Sequence, residues 1–212
     1  MIAESALQAQ SLLRDTSQFT WHIIPMFLVV LYVYFQEIDK KNWNRVLAAL
    51  AFFGMDLFNE IVNGIIFHTS SFAPLWAAPG NDTALLLLIG LNIEISMMFA
   101  ITGIVATLAL PINKHHKILG INNRLFLACC FAGASVVIEI LLNAIGALTW
   151  EWSFWSAQSP LLIFIFGYLT FYLVCYWVYD MSSRKQQLLT LATIYSINIA
   201  GLAIFGWGLG WL

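Results

Sequence analysis

Charge is what this chain has least of. Only 9% of its 212 residues are charged, against about 25% in an ordinary soluble domain. No basic stripe is available for nucleic acid, and no aqueous segment is long enough to carry one. Cysteine is scarce as well. Cys129, Cys130 and Cys175 all sit inside apolar runs without CxxC or metal spacing, which argues against a disulfide framework. Catalytic motifs are also missing: there is no Walker A loop, GxSxG, dinucleotide-binding glycine pattern or HExxH. The Glu-x-x-His pair of di-iron carboxylate bundles is absent too. His115-His116 lies among lysines in a loop, and no other histidines cluster. No metal ligand set is therefore assigned, and the cofactor stays unknown.

Apolar sequence fills the space that charge leaves. Hydrophobic residues make up 61% of the chain, and mean hydropathy is +0.83. The runs approach the 20 residues or so that a helix needs to cross a bilayer. Six spans are expected: 20–36 with Pro25 inside it, 46–68, 83–110 closed by Pro111, 125–149, 160–180 starting at Pro160, and 188–212. The predicted fold is an all-α polytopic membrane bundle, residues 20–212, preceded by an N-terminal segment, residues 1–19. That segment lacks a basic start and an apolar core, so it does not read as a signal peptide. Ile2, Ala6, Leu12 and Leu13 suit one face of a short amphipathic helix on the membrane surface.

Of the nine Lys and Arg residues, all but Arg14 fall in the loops after spans one, three and five. The positive-inside rule makes those loops cytoplasmic and puts both termini on the other side. The bacterial inner membrane or an equivalent is the expected location. The opposing loops hold Pro74, Trp76, Pro79, Trp150, Trp152 and Trp155, with tryptophans suited to the membrane interface. The Asn81-Asp82-Thr83 sequon lies hard against span three and reads as chance.

Against this background the carboxyls inside spans stand out. Asp56, Glu60, Glu94 and Glu139 all lie away from the loops. A central acidic residue costs about 2.5–3.5 kcal/mol to insert, so each needs packing, a partner or a proton. Counted from the expected outer ends of their spans, the three glutamates share a layer about 12–17 Å deep, with Asp56 a turn below. On span two, Asp56, Asn59, Glu60 and Asn63 form one ridge, and on span four Ser135, Glu139, Asn143 and Gly146 form another. Such ridges must face the bundle interior. Tyr168, Tyr172, Cys175, Tyr176 and Tyr179 follow helical spacing along span five.

Two readings compete for each element. The asparagines and tyrosines suit ligand contacts, but they equally suit interhelical hydrogen bonds and ordinary packing. The carboxyls suit acid–base work or proton carriage. The leading expectation is an enzyme or binding protein for a lipophilic small molecule. Glu60, Glu94 and Glu139 would act as acid, base or cation stabiliser, tuned by Asp56, with Asn59, Asn63, Asn143, Tyr168 and Tyr172 around the ligand. A proton- or cation-coupled transporter or channel is the alternative, and a structural subunit of a membrane complex the third. Membrane lipid and a lipophilic molecule are the expected partners. A homo-oligomer or larger membrane complex is compatible, and nucleic acid is not.

Overall fold

The computed structural model describes residues 1–79 and 85–212; the Asn81-Asp82-Thr83 sequon and the expected start of span three lie outside them. The order of elements is α1 (Glu4–Leu12), α2 (Ile23–Asp39), α3 (Trp43–Ser70), a hairpin of β1 (Leu86–Leu88) and β2 (Leu91–Asn92), and α4 (Ile93–Leu108). A second hairpin of β3 (Lys117–Ile118) and β4 (Ile121–Asn122) leads into α5 (Asn123–Ala144). A π-helical stretch, Ile163–Leu169, runs into α6 (Thr170–Tyr179), and α7 (Arg184–Gly201) runs into a second, Leu202–Gly208. Among the described residues, three helices are long and apolar enough to cross a membrane: α3, α5 and the continuous helix Arg184–Gly208. The apolar helices Ile93–Leu108 and Ile163–Tyr179 are shorter.

α3 is the axis of the bundle and packs against α4, α6 and α7. Small residues let its neighbours approach. A Cβ on Gly103 of α4 would stand 2.6 Å from the Ala49 Cα, so glycine is required at that crossing. The core there is Leu47, Phe52, Phe99, Phe171, Tyr172 and Tyr176. Polar side chains of α7 bond to α3: Tyr195 donates to the Leu50 carbonyl at 3.0 Å and Asn198 to the Gly54 carbonyl at 2.8 Å. Both are interhelical glue of the sort worth about 0.6–2 kcal/mol.

Two expected boundaries are corrected. Span one, expected over 20–36, is helical from Ile23 to Asp39, so Pro25 falls in the first turn, where no intrahelical N–H bond is lost. Among the described residues of span three, helix begins only at Ile93. Residues 86–92 form the first hairpin, and Asn92 caps α4 by accepting the Ile95 N–H at 2.8 Å. With 16 residues, α4 is about 24 Å long, short of the roughly 30 Å hydrocarbon core. The hairpin residues Leu86, Leu88, Ile89 and Leu91 are buried.

The N-terminal segment forms a short helix, as expected, and it packs on the rest of the chain. α1 buries Ala6 and Ala9, and Ala9 packs on Ala77, Ala78, Leu86 and Ile89. The Ala3 N–H reaches the Phe72 carbonyl at 3.0 Å, and the Arg14 N–H reaches Leu86 at 2.8 Å. α1 thus sits across the loops. Arg14, the one basic residue outside the three loops, donates from its guanidinium to the Leu212 carbonyl at 2.8 Å.

Candidate functional site

The polar ridge of α3 divides its work along the helix. Asn63, fully buried, is spent on structure. Its Oδ1 accepts the Leu75 N–H at 2.7 Å and its Nδ2 donates to the Trp76 carbonyl at 2.7 Å, which pins the chain after α3 back down against the helix. That places the Trp76 indole beside Glu60, to whose Oε1 it donates at 2.7 Å. The first hairpin arrives at the same level. A Cβ on Gly90 would lie 2.9 Å from Glu60 Oε2 and would collide with the Trp76 indole. Glycine is required there by space alone. Glu60 is ten residues before the end of α3, so the hairpin tip reaches about 15 Å down the helix.

From the other side come α5 and the π-helical stretch. Glu139 on α5 faces the Tyr168 hydroxyl and the Trp150 indole. The π-helical winding at Ile163–Leu169 brings Gly167 and Tyr168 to the same cavity. Such windings free backbone groups and recur at functional sites. Here Asn59 takes one of them, donating to the Phe166 carbonyl at 2.8 Å.

The result is a cavity of about 50 Å³ with Asp56, Glu60, Glu139 and Tyr168 on its wall, together with Trp76 and Phe99. The carboxyl residues are 4%, 2% and 6% exposed. Asp56 and Glu60 interact electrostatically, as do Glu60 and Glu139. Asp56 Oδ2 and Glu139 Oε2 are buried without a hydrogen-bond partner among the described residues, and Glu60 Oε2 lies over Gly90 without a well-formed bond. No Lys, Arg or His lines the cavity. Among the described residues, no group of three or more His, Cys, Asp or Glu side chains is placed to hold a metal ion.

Other predicted site residues are placed elsewhere. Glu94 stands in the first turn of α4, because the helix starts later than expected, and its Oε1 lies 2.8 Å from His22 Nε2. The depth shared by three glutamates is therefore shared by Glu60 and Glu139, with Asp56 below. Asn143 donates to the Leu148 carbonyl at 3.0 Å, folding the chain back after α5. The Tyr172 hydroxyl pairs with Ser135 at 2.9 Å, and that of Tyr176 donates to the Ala106 carbonyl at 3.4 Å. Asn63, Asn143 and Tyr172 thus hold the fold and do not line the cavity.

Sequence reasoning missed Trp76 and Gly90 as wall residues and took the tryptophans for an interfacial belt. Trp155 is buried and stacks on Trp76 with ring centres 5.7 Å apart, and the Trp152 indole donates to the Ala73 carbonyl at 3.1 Å. The signal available was a glycine between two apolar runs shortly before an Asn cap.

A second, larger hollow adjoins the first. It is an apolar groove of about 530 Å³ between α3 and the π-helical stretch, bordered by Phe58, Val62, Trp152, Phe154, Trp155 and Phe166. Asn59 and Trp76 border both the groove and the acidic cavity.

A helical fold of this hydropathy, with acidic side chains turned into its interior, defines a membrane protein. The chain belongs to a family described as an uncharacterized membrane protein family, which residues 3–207 match. It is 50% identical over 212 residues to an uncharacterized protein of Archaeoglobus fulgidus, covering 100% of both chains. A second uncharacterized protein of that organism is 53% identical over 53 residues, which is 95% of its own length and 25% of this chain. No solved structure matches.

Proposed function

We propose that this protein binds a lipophilic small molecule within the membrane and acts on it by acid–base chemistry. In this reading α2, α3, α4, α5, α6 and α7 with their π-helical extensions make six crossings. The basic loops are cytoplasmic, and both termini lie on the other side. The ligand enters sideways from the outer leaflet through the apolar groove. Its reactive end meets Glu60 and Glu139, with Asp56 sharing their protons and Tyr168 and Asn59 positioning it.

The observation that supports this reading is that the two hollows adjoin, with Asn59 and Trp76 on the wall of both. A groove of about 530 Å³ has the size and lining of a small-molecule site. It shares Asn59 and Trp76 with a cavity whose carboxyl oxygens are unpartnered among the described residues. Burying such groups unsatisfied costs folding free energy, and intramembrane carboxyls are functional by default. Native mass spectrometry from mild detergent, wild type beside Glu60→Gln, tests it. A discrete organic molecule bound to the wild type and lost from the variant is expected. Its absence from both folded proteins would contradict the reading.

One observation favours a proton-coupled transporter as the second reading. Glu60 also lines a separate cavity of about 60 Å³ with Gln10, Gly64 and Trp211, near the end of α3. A carboxyl between two cavities suits proton exchange. Below the site, however, Phe52, Phe99, Phe171 and Tyr172 are packed ring on ring. Proton flux in proteoliposomes that disappears in Glu60→Gln would favour transport.

A further inference from the structure

The wall of the acidic cavity is one-sided in its hydrogen bonding, and that asymmetry selects the ligand's head. This inference rests on the lipophilic-ligand reading and narrows it. The donors on the cavity wall itself are turned to groups already present, while the Trp150 indole, which faces Glu139, does not line the cavity. The Trp76 indole N–H goes to Glu60 Oε1 at 2.7 Å, and the Asn59 amide goes to the Phe166 carbonyl at 2.8 Å. The Tyr168 hydroxyl is turned to Glu139. Acceptors, in contrast, are left over: Asp56 Oδ2 and Glu139 Oε2, on residues only 4% and 6% exposed, have no partner among the described residues. No cationic side chain lines the cavity to answer them. A ligand that completes the cavity wall therefore brings donors and positive charge.

Size narrows the choice. A volume of about 50 Å³ admits a few water-sized groups, each needing about 10–15 Å³. An ammonium group fits that space, whereas three methyl groups on nitrogen would crowd it. The faces of Trp76, Phe99, Tyr168 and Phe171 border the same space, and aromatic faces attract cations. Beyond Asn59 and Trp76 the lining turns apolar along the groove, where a single chain can lie.

We propose that the cavity takes the primary ammonium head of a single-chain amphiphile whose tail lies in the groove between α3 and the π-helical stretch. The head donates to Asp56 and Glu139, and Glu60, held by the Trp76 indole, completes the acidic wall. The class of ligand is a long-chain primary amine.

The test uses the full chain in nanodiscs of zwitterionic lipid, titrated with dodecylamine, dodecanol or dodecyltrimethylammonium and read by native mass spectrometry. Dodecylamine is expected to bind at least about tenfold more tightly than either of the others, since a buried charge pair is at stake. Glu139→Gln and, separately, Asp56→Asn are expected to reduce dodecylamine binding by about tenfold or more while leaving dodecanol unaffected. Two variants are used so that misfolding of one does not remove the test. Equal binding of dodecanol and dodecylamine, insensitive to both substitutions, would overturn the ammonium head and leave the lipophilic-ligand reading in place. Tight binding of dodecyltrimethylammonium would overturn the size argument for a primary amine. Failure of all three probes, together with no native bound molecule, would overturn both readings.

Discussion

Carboxyls are buried at two levels of this molecule, and they are treated in opposite ways. Toward the basic loops, each has a cation. Glu37 at the end of α2 accepts from Asn42 at 2.8 Å, is paired with Arg45, and has Lys40 at 3.6 Å. Asp180 at the end of α6 takes a two-pronged bond from Arg124, at 2.9 and 2.8 Å, and Arg124 also donates to the Pro111 carbonyl at 2.8 Å. One guanidinium thereby joins the ends of three helices. In the opposite half, Asp56, Glu60 and Glu139 share a cavity with no cation on its wall. The fold can satisfy a carboxyl, since it does so twice among the basic loops. The three others stand on a cavity wall where no Lys, Arg or His is found among the described residues.

The largest effect should come from breaking the paired side. Arg124→Leu removes the bonds to Asp180 and Pro111 at once and is expected to destabilise by about 2–4 kcal/mol, since a partly buried carboxylate loses its partner. Thermal unfolding in detergent would measure it. Lys in place of Arg should recover only part of the loss, because an ammonium cannot make the two-pronged contact.

Glu37→Gln should follow, at about 2 kcal/mol near neutral pH, and its pH dependence sharpens the comparison. Burial raises the Glu37 carboxyl, but hydrogen bonds from Asn42 and Arg45 and the charges of Arg45 and Lys40 outweigh it, holding the group below its ordinary value of 4.5. A depressed carboxyl contributes its full stability above the unfolded value and loses it as pH falls through the folded one. The gap between wild type and Glu37→Gln should therefore be constant from neutrality down to about pH 5 and close below that. A gap that persists unchanged in acid would show that packing, and not charge, is at stake.

Smaller still is Trp76→Phe. It keeps the ring but removes the donor to Glu60, a hydrogen bond worth about 0.5–1.5 kcal/mol net. The fold should lose about 1 kcal/mol, because Asn63 still pins the segment. Binding of the native ligand should fall more noticeably, which native mass spectrometry would record.

Much of this was legible in the chain. The apolar runs of α3, α5 and α7, the shared ridge of Asp56 and Glu60, and Glu139 facing inward all follow from hydropathy and helical periodicity. What hydropathy does not distinguish is an apolar helix from an apolar hairpin buried in protein. Residues 85–92, LLLLIGLN, have the composition of a span, yet they fold as a hairpin. That misreading displaced Glu94, whose depth was counted from a helix start that lies ten residues too early. The loop-pinning roles of Asn63 and Asn143 depend on where the chain returns after its helix, which no helical wheel contains. The π-helical stretches carry no periodicity of their own.

The comparison is tested most directly by the unfolding temperatures of Glu139→Gln and Glu37→Gln, measured side by side with wild type in lipid nanodiscs. Glu37→Gln is expected to unfold at a clearly lower temperature, while Glu139→Gln, freed of ligand, matches wild type or exceeds it. A fall in Glu139→Gln as large as that in Glu37→Gln would make the cavity carboxyls structural and contradict a ligand-binding role for them.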